Sequence, residues 1–357
     1  MSAAEANDLA LRGFGSVWAP VDGAPPEPRK LGDMDKLRQR DALTRSHLAT
    51  LELTSCVGFA PRVGASQNAP CPCAILLREN PASAAVEWVL ISAPSIDFFS
   101  GRHTIGRSDR KICELDRVFA WSRQRNDRIG EILTQMPPQF AYWSTMLGIS
   151  PEVAPRFYEL LAISLNFAML LTQQLKFHLD VPRPVEMSPL VQPIITTPSY
   201  STFPSGHAVE AYVFALIASK LFSQALESRT DNVKRVLFRF ARRVAENRVV
   251  AGLHFPIDAL PSYVLAEAVS ELIFARAAMD PTATVDRHHF EGKRLEVSHE
   301  VDPASVYSTD WSAFAGGQKQ IASRARLFDC VEKSSVLRFL YGEALKEIRF
   351  KCQPNQR

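Results

Sequence analysis

The chain of 357 residues has little of what marks several protein classes. Its 41 lysines and arginines face 38 aspartates and glutamates, so no overall positive field points to nucleic acid. The six cysteines are scattered, and only Cys71 and Cys73 lie close together, without the two-residue gap of a zinc knuckle. We therefore expect no nucleic-acid partner, and reduced structural thiols instead of disulfides or a metal site.

Signals for export and for membrane spans are also missing. Residues 1–11 include Glu5 and Asp8 and no basic segment before an apolar run, unlike a secretory signal. The most apolar stretches, 160–175 and 211–222, are interrupted by polar residues and fall short of the roughly 20 apolar residues that cross a bilayer. We expect a cytoplasmic protein without a transmembrane span. Peripheral membrane contact and a homo-oligomer stay open.

The pattern along the chain predicts four regions. Residues 1–48 are rich in proline, alanine and charge, as in a partly disordered leader, and 49–108 form a small β-containing module with strands at 49–57, 73–77 and 86–92. Residues 109–280 have helical periodicity and form a bundle domain, and 281–357 form a C-terminal extension with a helix at 335–350. The fold class is therefore mainly α. Helices are predicted at 151–175, 208–226, 231–250 and 256–278.

Two motifs before and at the start of the 208–226 helix bring together groups that bind anions. Lys176 leaves a long apolar helix, and Arg183 follows before a proline, so two cations come near one core. The sequence Pro-Ser-Gly-His, ending at His207, opens the next helix. The Ser205 hydroxyl and the Gly206 amide then lie at a helix N-terminus, where unpaired N–H groups favour an anion.

A third motif runs from Asn247 and Arg248 through His254 to Asp258. Pro256 can start a new helix, which places Asp258 within reach of His254 across the first turn. Each motif alone is typical of an ordinary helix cap or a surface pair. The three together, in this order, predict one phosphate-binding histidine site.

The combined pattern, K-x6-R-P, then P-S-G-H, then R-x5-H-x3-D, resembles the signature of the type 2 phosphatidic acid phosphatase and vanadium haloperoxidase superfamily. That superfamily includes soluble bacterial acid phosphatases, and the flanking helices also look like those members. The resemblance covers 176–258 and implies a helical bundle of that type. Asn247 departs from it, because the family usually has serine there. Asparagine still donates and accepts, so we expect only a changed local hydrogen bond.

The resemblance implies a role for each site residue. His254 is the nucleophile, Asp258 holds its other ring nitrogen, and His207 protonates the leaving oxygen and later activates water. The phosphate or vanadate cradle would consist of Lys176, Arg183, Ser205, Gly206 and Arg248. Candidates for tuning or lining the site are Tyr200, Phe203, Asn247 and His178.

Three functions follow from this site. We favour a phosphatase without a metal or other cofactor, which hydrolyses a phosphomonoester or diphosphate through a phosphohistidine, on a small-molecule or lipid phosphate. The alternative is a vanadium-dependent haloperoxidase, with vanadate as cofactor and His254 as its protein ligand, which oxidises halide with hydrogen peroxide. The third is an anion-binding relative without catalysis. The organic part of a substrate does not follow from the sequence.

Overall fold

In the computed structural model the chain divides into two compact units, 1–39 and 40–357. The structure describes residues 33–61, 73–80, 82–100, 113–136, 139–226, 231–277, 284–292, 322–328 and 331–352. Within the first unit the described residues form helix α1 (Asp33–Gln39). Most of the predicted leader, 1–32, lies outside the described residues, and everything below concerns the second unit.

The second unit is mainly helical, which confirms the predicted fold class. Its α-helices in chain order are α2 (Ala42–Ser55), α3 (Ile96–Ser100), α4 (Glu114–Ser122), α5 (Arg125–Thr134), α6 (Phe140–Leu147), α7 (Pro155–Leu179), α8 (Pro184–Met187), α9 (Gly206–Leu226), α10 (Asp231–Val250), α11 (Ala259–Ala277) and α12 (Ser335–Cys352). Short 3-10 helices occupy Pro189–Val191 and Pro256–Asp258. The helices predicted within 151–278 therefore exist, with boundaries shifted by a few residues.

Helix α9 lies at the centre of the bundle and contacts α7, α10, α11 and α12. It is apolar almost all round, and Phe214, Ile217 and Leu221 are fully buried. Such a helix is stable only where neighbours cover every face. Its N-terminal end carries the Pro-Ser-Gly-His motif, so the motif is placed in the interior of the bundle.

A five-stranded sheet with the order β1-β2-β3-β4-β5 packs beside the bundle through the contact of β4 with α11. Its strands are β1 (Val57–Pro61), β2 (Cys73–Leu77), β3 (Val86–Ser92), β4 (Val285–Glu291) and β5 (Ala322–Phe328). Strands β3 and β4 are parallel, and the other pairs are antiparallel. The small N-terminal β element is thus present, and it is extended by two strands from the predicted C-terminal extension.

The predictions of β2 and β3 are confirmed, but the strand predicted at 49–57 is wrong. Most of that stretch belongs to α2, which Asp41 caps by accepting a hydrogen bond from the Thr44 amide at 2.7 Å. The buried residues Arg45, Ala49 and Leu53 recur every four positions, the spacing of one helix face. Arg45 also pairs with Glu159 of α7 at 2.6 Å, a contact distant in sequence that fixes this face inward.

Two segments, Pro155–Met187 and Gly206–Leu226, are long and apolar enough to cross a membrane by length and composition alone. The expectation that both runs are too short was therefore wrong on length, because each helix extends past the apolar stretch seen in the sequence. The protein interior buries 56% and 61% of their apolar windows. Core helices of soluble proteins pass the same test, so the cytoplasmic location stays a prediction.

Four of the six cysteines lie among the described residues. Cys56, Cys73, Cys113 and Cys352 are free, and the first three are buried. Burial raises the pKa of Cys73 to about 11, which keeps the thiol protonated and unreactive at neutral pH. Cys71 and Cys330 lie outside the described residues.

Candidate active site

The structure places His254, Asp258 and Thr202 in one buried hydrogen-bonded group. His254 Nδ1 lies 2.9 Å from Asp258 Oδ2 and 3.0 Å from Thr202 Oγ1. Asp258 Oδ2 also accepts the Thr202 hydroxyl proton at 2.5 Å and the Phe255 amide at 3.0 Å. With Asp258 as acceptor, the Nδ1 atom of His254 carries the proton. The Nε2 lone pair of the ring is then left for another group.

The surroundings keep His254 uncharged. Its pKa lies well below the usual value because of burial first, and then because of four neighbouring basic groups: Lys176, Arg183, His207 and Arg248. Burial raises the pKa of Asp258 to about 6, against the Thr202 and Phe255 hydrogen bonds and the two nearest cations, which lower it. Above that pH the pair is a carboxylate and a neutral imidazole. A neutral imidazole is the form that acts as a nucleophile or ligand.

Lys176 reaches this group from the last turn of α7, and its side chain is buried. Its ammonium donates to the carbonyl oxygens of Ser201 at 2.7 Å and Thr202 at 3.0 Å. Burial and then Arg183 lower the pKa of Lys176 to about 7, and Asp258 opposes the shift. An anion bound beside the ammonium would raise that pKa again, because negative charge favours the protonated form.

Arg183 comes from the N-terminal end of α8, which Pro184 begins. Its guanidinium donates from Nε to the Tyr200 carbonyl at 2.8 Å and from Nη1 to the Leu253 carbonyl at 3.0 Å. One side chain therefore joins the loop before His207 to the residue next to His254. These backbone contacts fix the orientation of the fork, as an oxyanion clamp requires.

Arg248 lies in the last turn of α10, fully buried. Its Nη2 atom donates to the Ile132 carbonyl at 3.1 Å and approaches Gln135 Oε1 at 3.5 Å. Its Nε and Nη1 atoms have no hydrogen-bond partner among the described residues. Burial lowers the pKa of Arg248 to about 10, so it stays charged at neutral pH. Two donors of a buried cation are therefore available to a ligand.

The Pro-Ser-Gly-His turn leads directly into α9. Ser205 is buried, its carbonyl accepts the Val209 amide at 3.0 Å, and its hydroxyl has no partner among the described residues. The first amides of a helix have no intrahelical acceptor, so those from Gly206 onward add donors beside this hydroxyl. A Cβ at Gly206 would meet only the flexible Met169 side chain, 3.3 Å away. A side chain at position 206 would therefore not clash with the backbone. Room for a ligand does not explain why this residue is glycine.

His207 stands on the first turn of α9. Burial and then Arg248 lower its pKa to about 4, while a hydrogen bond to the Met136 backbone raises it. The nearby cations account for the remaining decrease. A phosphate dianion that offsets those cations would raise the pKa of His207 toward the range of a useful acid.

Two features outside the three motifs position the His254 segment. Gly252 has φ +83°, and a Cβ there would lie 2.8 Å from Arg125 Nη2 and 2.9 Å from Val191 Cγ1, so the turn before His254 needs glycine. Glu114 of α4 accepts the Ile257 amide at 3.0 Å and fixes the 3-10 turn that carries Asp258. Burial raises the pKa of Glu114 to about 7.

The four candidate tuning residues separate into different environments. Tyr200 is 45% exposed, with its ring centroid 5.2 Å from Lys176 Nζ and 5.1 Å from Arg183 Cζ, so it covers both cations. Phe203 is a packing residue, fully buried, with its ring 6.0 Å from that of Phe290 in β4. Tyr200 therefore belongs to the rim of the site, and Phe203 joins the site loop to the sheet.

Asn247 is buried next to Arg248 in the chain, whereas His178 lies partly exposed in the last turn of α7. The Asn247 amide donates to Gln135 Oε1 at 3.0 Å, the same oxygen that Arg248 approaches. Its Oδ1 accepts from Arg128 at 3.3 Å. His178 is half-buried, with its ring 5.3 Å from the ring of exposed Phe177, and forms no hydrogen bond with the described residues.

Thr202, Glu114 and Gln135 contact the site residues although none of the three sequence motifs contains them. Thr202 precedes the Pro-Ser-Gly-His motif and could have been suspected as a hydroxyl next to that turn. Glu114 and Gln135 come from α4 and the end of α5, more than a hundred residues before the partners they contact. No spacing in the sequence indicates those contacts, since they exist only through packing.

Residues 158–279 match the family model described as PAP2 superfamily. This match supports membership of the PAP2 superfamily. All three motifs lie within the matched residues. The segments that carry Glu114 and Gln135 lie outside them. The superfamily includes phosphatase and haloperoxidase-like activities. The match therefore supports a phosphatase-type enzyme in general terms. No curated protein matches the chain.

Proposed function

We propose that the protein is a phosphatase that hydrolyses a phosphomonoester or diphosphate through a phosphohistidine on His254. The observation that supports this most is an excess of buried positive charge around one neutral histidine. The site contains three buried cations and the buried carboxylate of Asp258; the cations are Lys176, Arg183 and Arg248. Burying unbalanced charge is costly, and an anion with several oxygens would balance it. Phosphate is such an anion.

The unpaired atoms of the site agree with this ligand. Arg248 Nε and Nη1 and the Ser205 hydroxyl are buried and have no partner among the described residues. Arginine forks bind the oxygens of phosphate in pairs, and a hydroxyl adds a further donor. In phosphoryl transfer the negative charge spreads over three equatorial oxygens, so fixed donors stabilise the transition state more than the ground state.

In the first step the Nε2 lone pair of His254 attacks phosphorus and forms an N–P bond. The P–O bond to the leaving group breaks, and its electron pair stays on the leaving oxygen, which takes a proton from His207. Asp258 stabilises the positive charge that develops on the ring, through its 2.9 Å contact with Nδ1. Thr202 keeps this carboxylate oriented toward the ring by donating to the same oxygen.

In the second step a water molecule attacks the phosphorylated His254. His207, now neutral, takes a proton from the water, the new P–O bond forms, and the N–P bond breaks with its electron pair returning to Nε2. Inorganic phosphate and the free enzyme result. Transfer by one positioned acid and base of this kind contributes about 100- to 10,000-fold to the rate.

A second candidate uses vanadate at the same place, and the residues fit that group. His254 Nε2 would hold the vanadium, and Lys176, Arg183, Arg248 and Ser205 would hold the oxygens. Bound vanadate would supply the oxidation of halide by hydrogen peroxide. The lone pair of His254 Nε2 and the surrounding cations suit phosphate and vanadate equally. The phosphatase, however, needs no additional cofactor.

A panel of phosphomonoesters, lipid phosphates and prenyl diphosphates, each assayed with and without orthovanadate, tests the proposal. We expect hydrolysis that vanadate inhibits, together with an acid-labile, base-stable phosphoryl label on the protein during turnover. Bromination of a dye that requires both vanadate and peroxide, without hydrolysis of any phosphate, would establish the haloperoxidase instead. Phosphate binding without either reaction would show a non-catalytic relative.

A further inference from the structure

Helix α9 carries His207 on its first turn and contributes Glu210 to a pocket. The pocket encloses about 260 Å³ when its open mouth is included, and its lining residues are Gln139, Phe140, Trp143, Leu165 and Glu210. Glu210 follows His207 by three residues, so the two side chains share one face of the helix. Three residues rise about 4.5 Å along a helix, so a group in the pocket would be close to one that His207 protonates.

The chain near Gln139 contacts the site as well as the pocket. His207 interacts with the backbone of Met136, and Gln139 and Phe140 line the pocket. Because the leaving oxygen would face His207, the pocket would lie on the leaving-group side of a bound phosphate.

The chemistry of the lining is that of an ammonium site. Glu210 forms no hydrogen bond or ion pair with the described residues, and burial alone raises its pKa to about 7. The side-chain amide of Gln139, buried to 7% exposure, likewise has no partner among them. The other walls are aromatic or aliphatic, with Trp143 held by stacking on Phe214 at 4.1 Å. A carboxyl group beside aromatic rings attracts a cation.

We propose that this pocket binds the ammonium group of the leaving alcohol, so that the preferred substrate is the phosphate monoester of a small amino alcohol. The inference rests on the proposed phosphatase function and specifies its substrate class. An ammonium ion would donate to Glu210 and to the Gln139 amide oxygen and contact the ring of Trp143 or Phe140. The enclosed space is small, which limits the occupant to a short head group.

The test compares three esters of similar size on the full chain: O-phosphoethanolamine, n-propyl phosphate and 2-hydroxyethyl phosphate. For the wild-type protein we expect kcat/KM for the amine ester to exceed that for the propyl ester at least about tenfold, a difference typical of a desolvated cation contact. The hydroxyl ester should resemble the propyl ester. Equal kcat/KM for the amine and propyl esters, or for the amine and hydroxyl esters, would overturn the inference.

Variants assign the preference to the pocket. Glu210→Gln should reduce the ratio of amine to propyl ester at least about fivefold, and Gln139→Met should reduce it less. Gln139→Met serves as the second test if Glu210→Gln does not fold. Glu343→Gln is the matched control, since Glu343 pairs with exposed Lys346 at 2.8 Å and does not line the pocket, and the ratio should stay as in the wild type. A ratio unchanged in both pocket variants would contradict the inference.

The phosphatase hypothesis and the ammonium-pocket hypothesis are contradicted by different results. Hydrolysis of 4-nitrophenyl phosphate that depends on His254, without an amine preference, would retain the phosphatase and eliminate the ammonium pocket. If no ester is hydrolysed, the phosphatase hypothesis fails, and calorimetric binding of O-phosphoethanolamine and n-propyl phosphate still tests the pocket. Tighter binding of the amine ester, lost in Glu210→Gln, would support it. Equal binding of the two esters would overturn it.

Discussion

Among the described residues, the buried histidines His254 and His288 each pair with a carboxylate at the same separation, in different surroundings. His254 Nδ1 lies 2.9 Å from Asp258, and His288 Nε2 lies 2.9 Å from Glu271, where β4 packs against α11. Arg324 of β5 pairs with Glu271 at 2.5 Å and also with Asp286, so the charges of the second pair are balanced within the sheet and its helix. The first pair has three buried cations around it, and two donors of Arg248, Nε and Nη1, have no partner among the described residues.

A histidine–carboxylate contact therefore does not distinguish an active site from a structural ion pair. The two pairs differ in whether the polar groups near them all have hydrogen-bond partners. In the sheet pair, each charge has a partner, which stabilises the join between strand and helix. Near the bundle pair, Arg248 Nε and Nη1 are buried donors without an acceptor among the described residues, as in sites prearranged for the charge of a transition state.

The largest effect is expected on removing His254. His254→Ala should lower turnover by on the order of 10⁴-fold or more, because the nucleophile is lost while the helical core remains. Circular dichroism and steady-state kinetics on the same sample measure both properties. The matched variant His288→Ala should lower thermal stability, at a cost of roughly 1–3 kcal/mol, with turnover per folded molecule retained. Near-normal turnover in folded His254→Ala would end the assignment.

The next effect concerns the arginine forks. Arg248→Lys and Arg183→Lys keep the charge and lose the planar fork, so each should reduce kcat/KM about 100-fold, comparable with deletion of one oxyanion donor. Arg242→Lys, on the same helix as Arg248, is the control, because Arg242 forms a partly exposed pair with Glu246 at 2.7 Å. Similar small losses in all three variants would show that no clamp exists.

A smaller effect is expected at Thr202. Its hydrogen bond lowers the pKa of Asp258, so Thr202→Val should raise that pKa from about 6. Activity that needs the Asp258 carboxylate would then begin at a higher pH, and kcat at neutral pH should fall about tenfold. Thr202→Ser, which retains the hydroxyl, should restore the wild-type profile. A profile for Thr202→Val that coincides with the wild type would separate Thr202 from catalysis.

The smallest effect is expected from chelation. EDTA should leave hydrolysis unchanged, because Lys176, Arg183 and Arg248 would supply the positive charge that metal ions provide in many phosphoryl-transfer enzymes. No group of three or more histidine, cysteine or acidic side chains that could hold a metal occurs among the described residues. Initial rates before and after dialysis against the chelator measure this. Loss of activity that magnesium or zinc restores would contradict the proposed mechanism.

Several features of the fold and the site could be predicted from the sequence. The apolar stretches that became α7 and α9, and the break at Gly252, follow from local composition and backbone preference. The contact between His254 and Asp258 also followed from their spacing, since four residues across a turn bring side chains together. These are short-range relations, which chain geometry alone largely determines.

The tertiary structure decided the relations between distant segments. It turned residues 49–55 into helix through the contact of α2 with α7, and it added β4 and β5 to the N-terminal strands. It also placed Gln135 against Asn247 and left Arg248 Nε and Nη1 without an acceptor among the described residues. Such facts depend on which groups packing brings together and which it leaves unsatisfied. A sequence specifies the donors, but only the folded chain determines which of them remain free for a ligand.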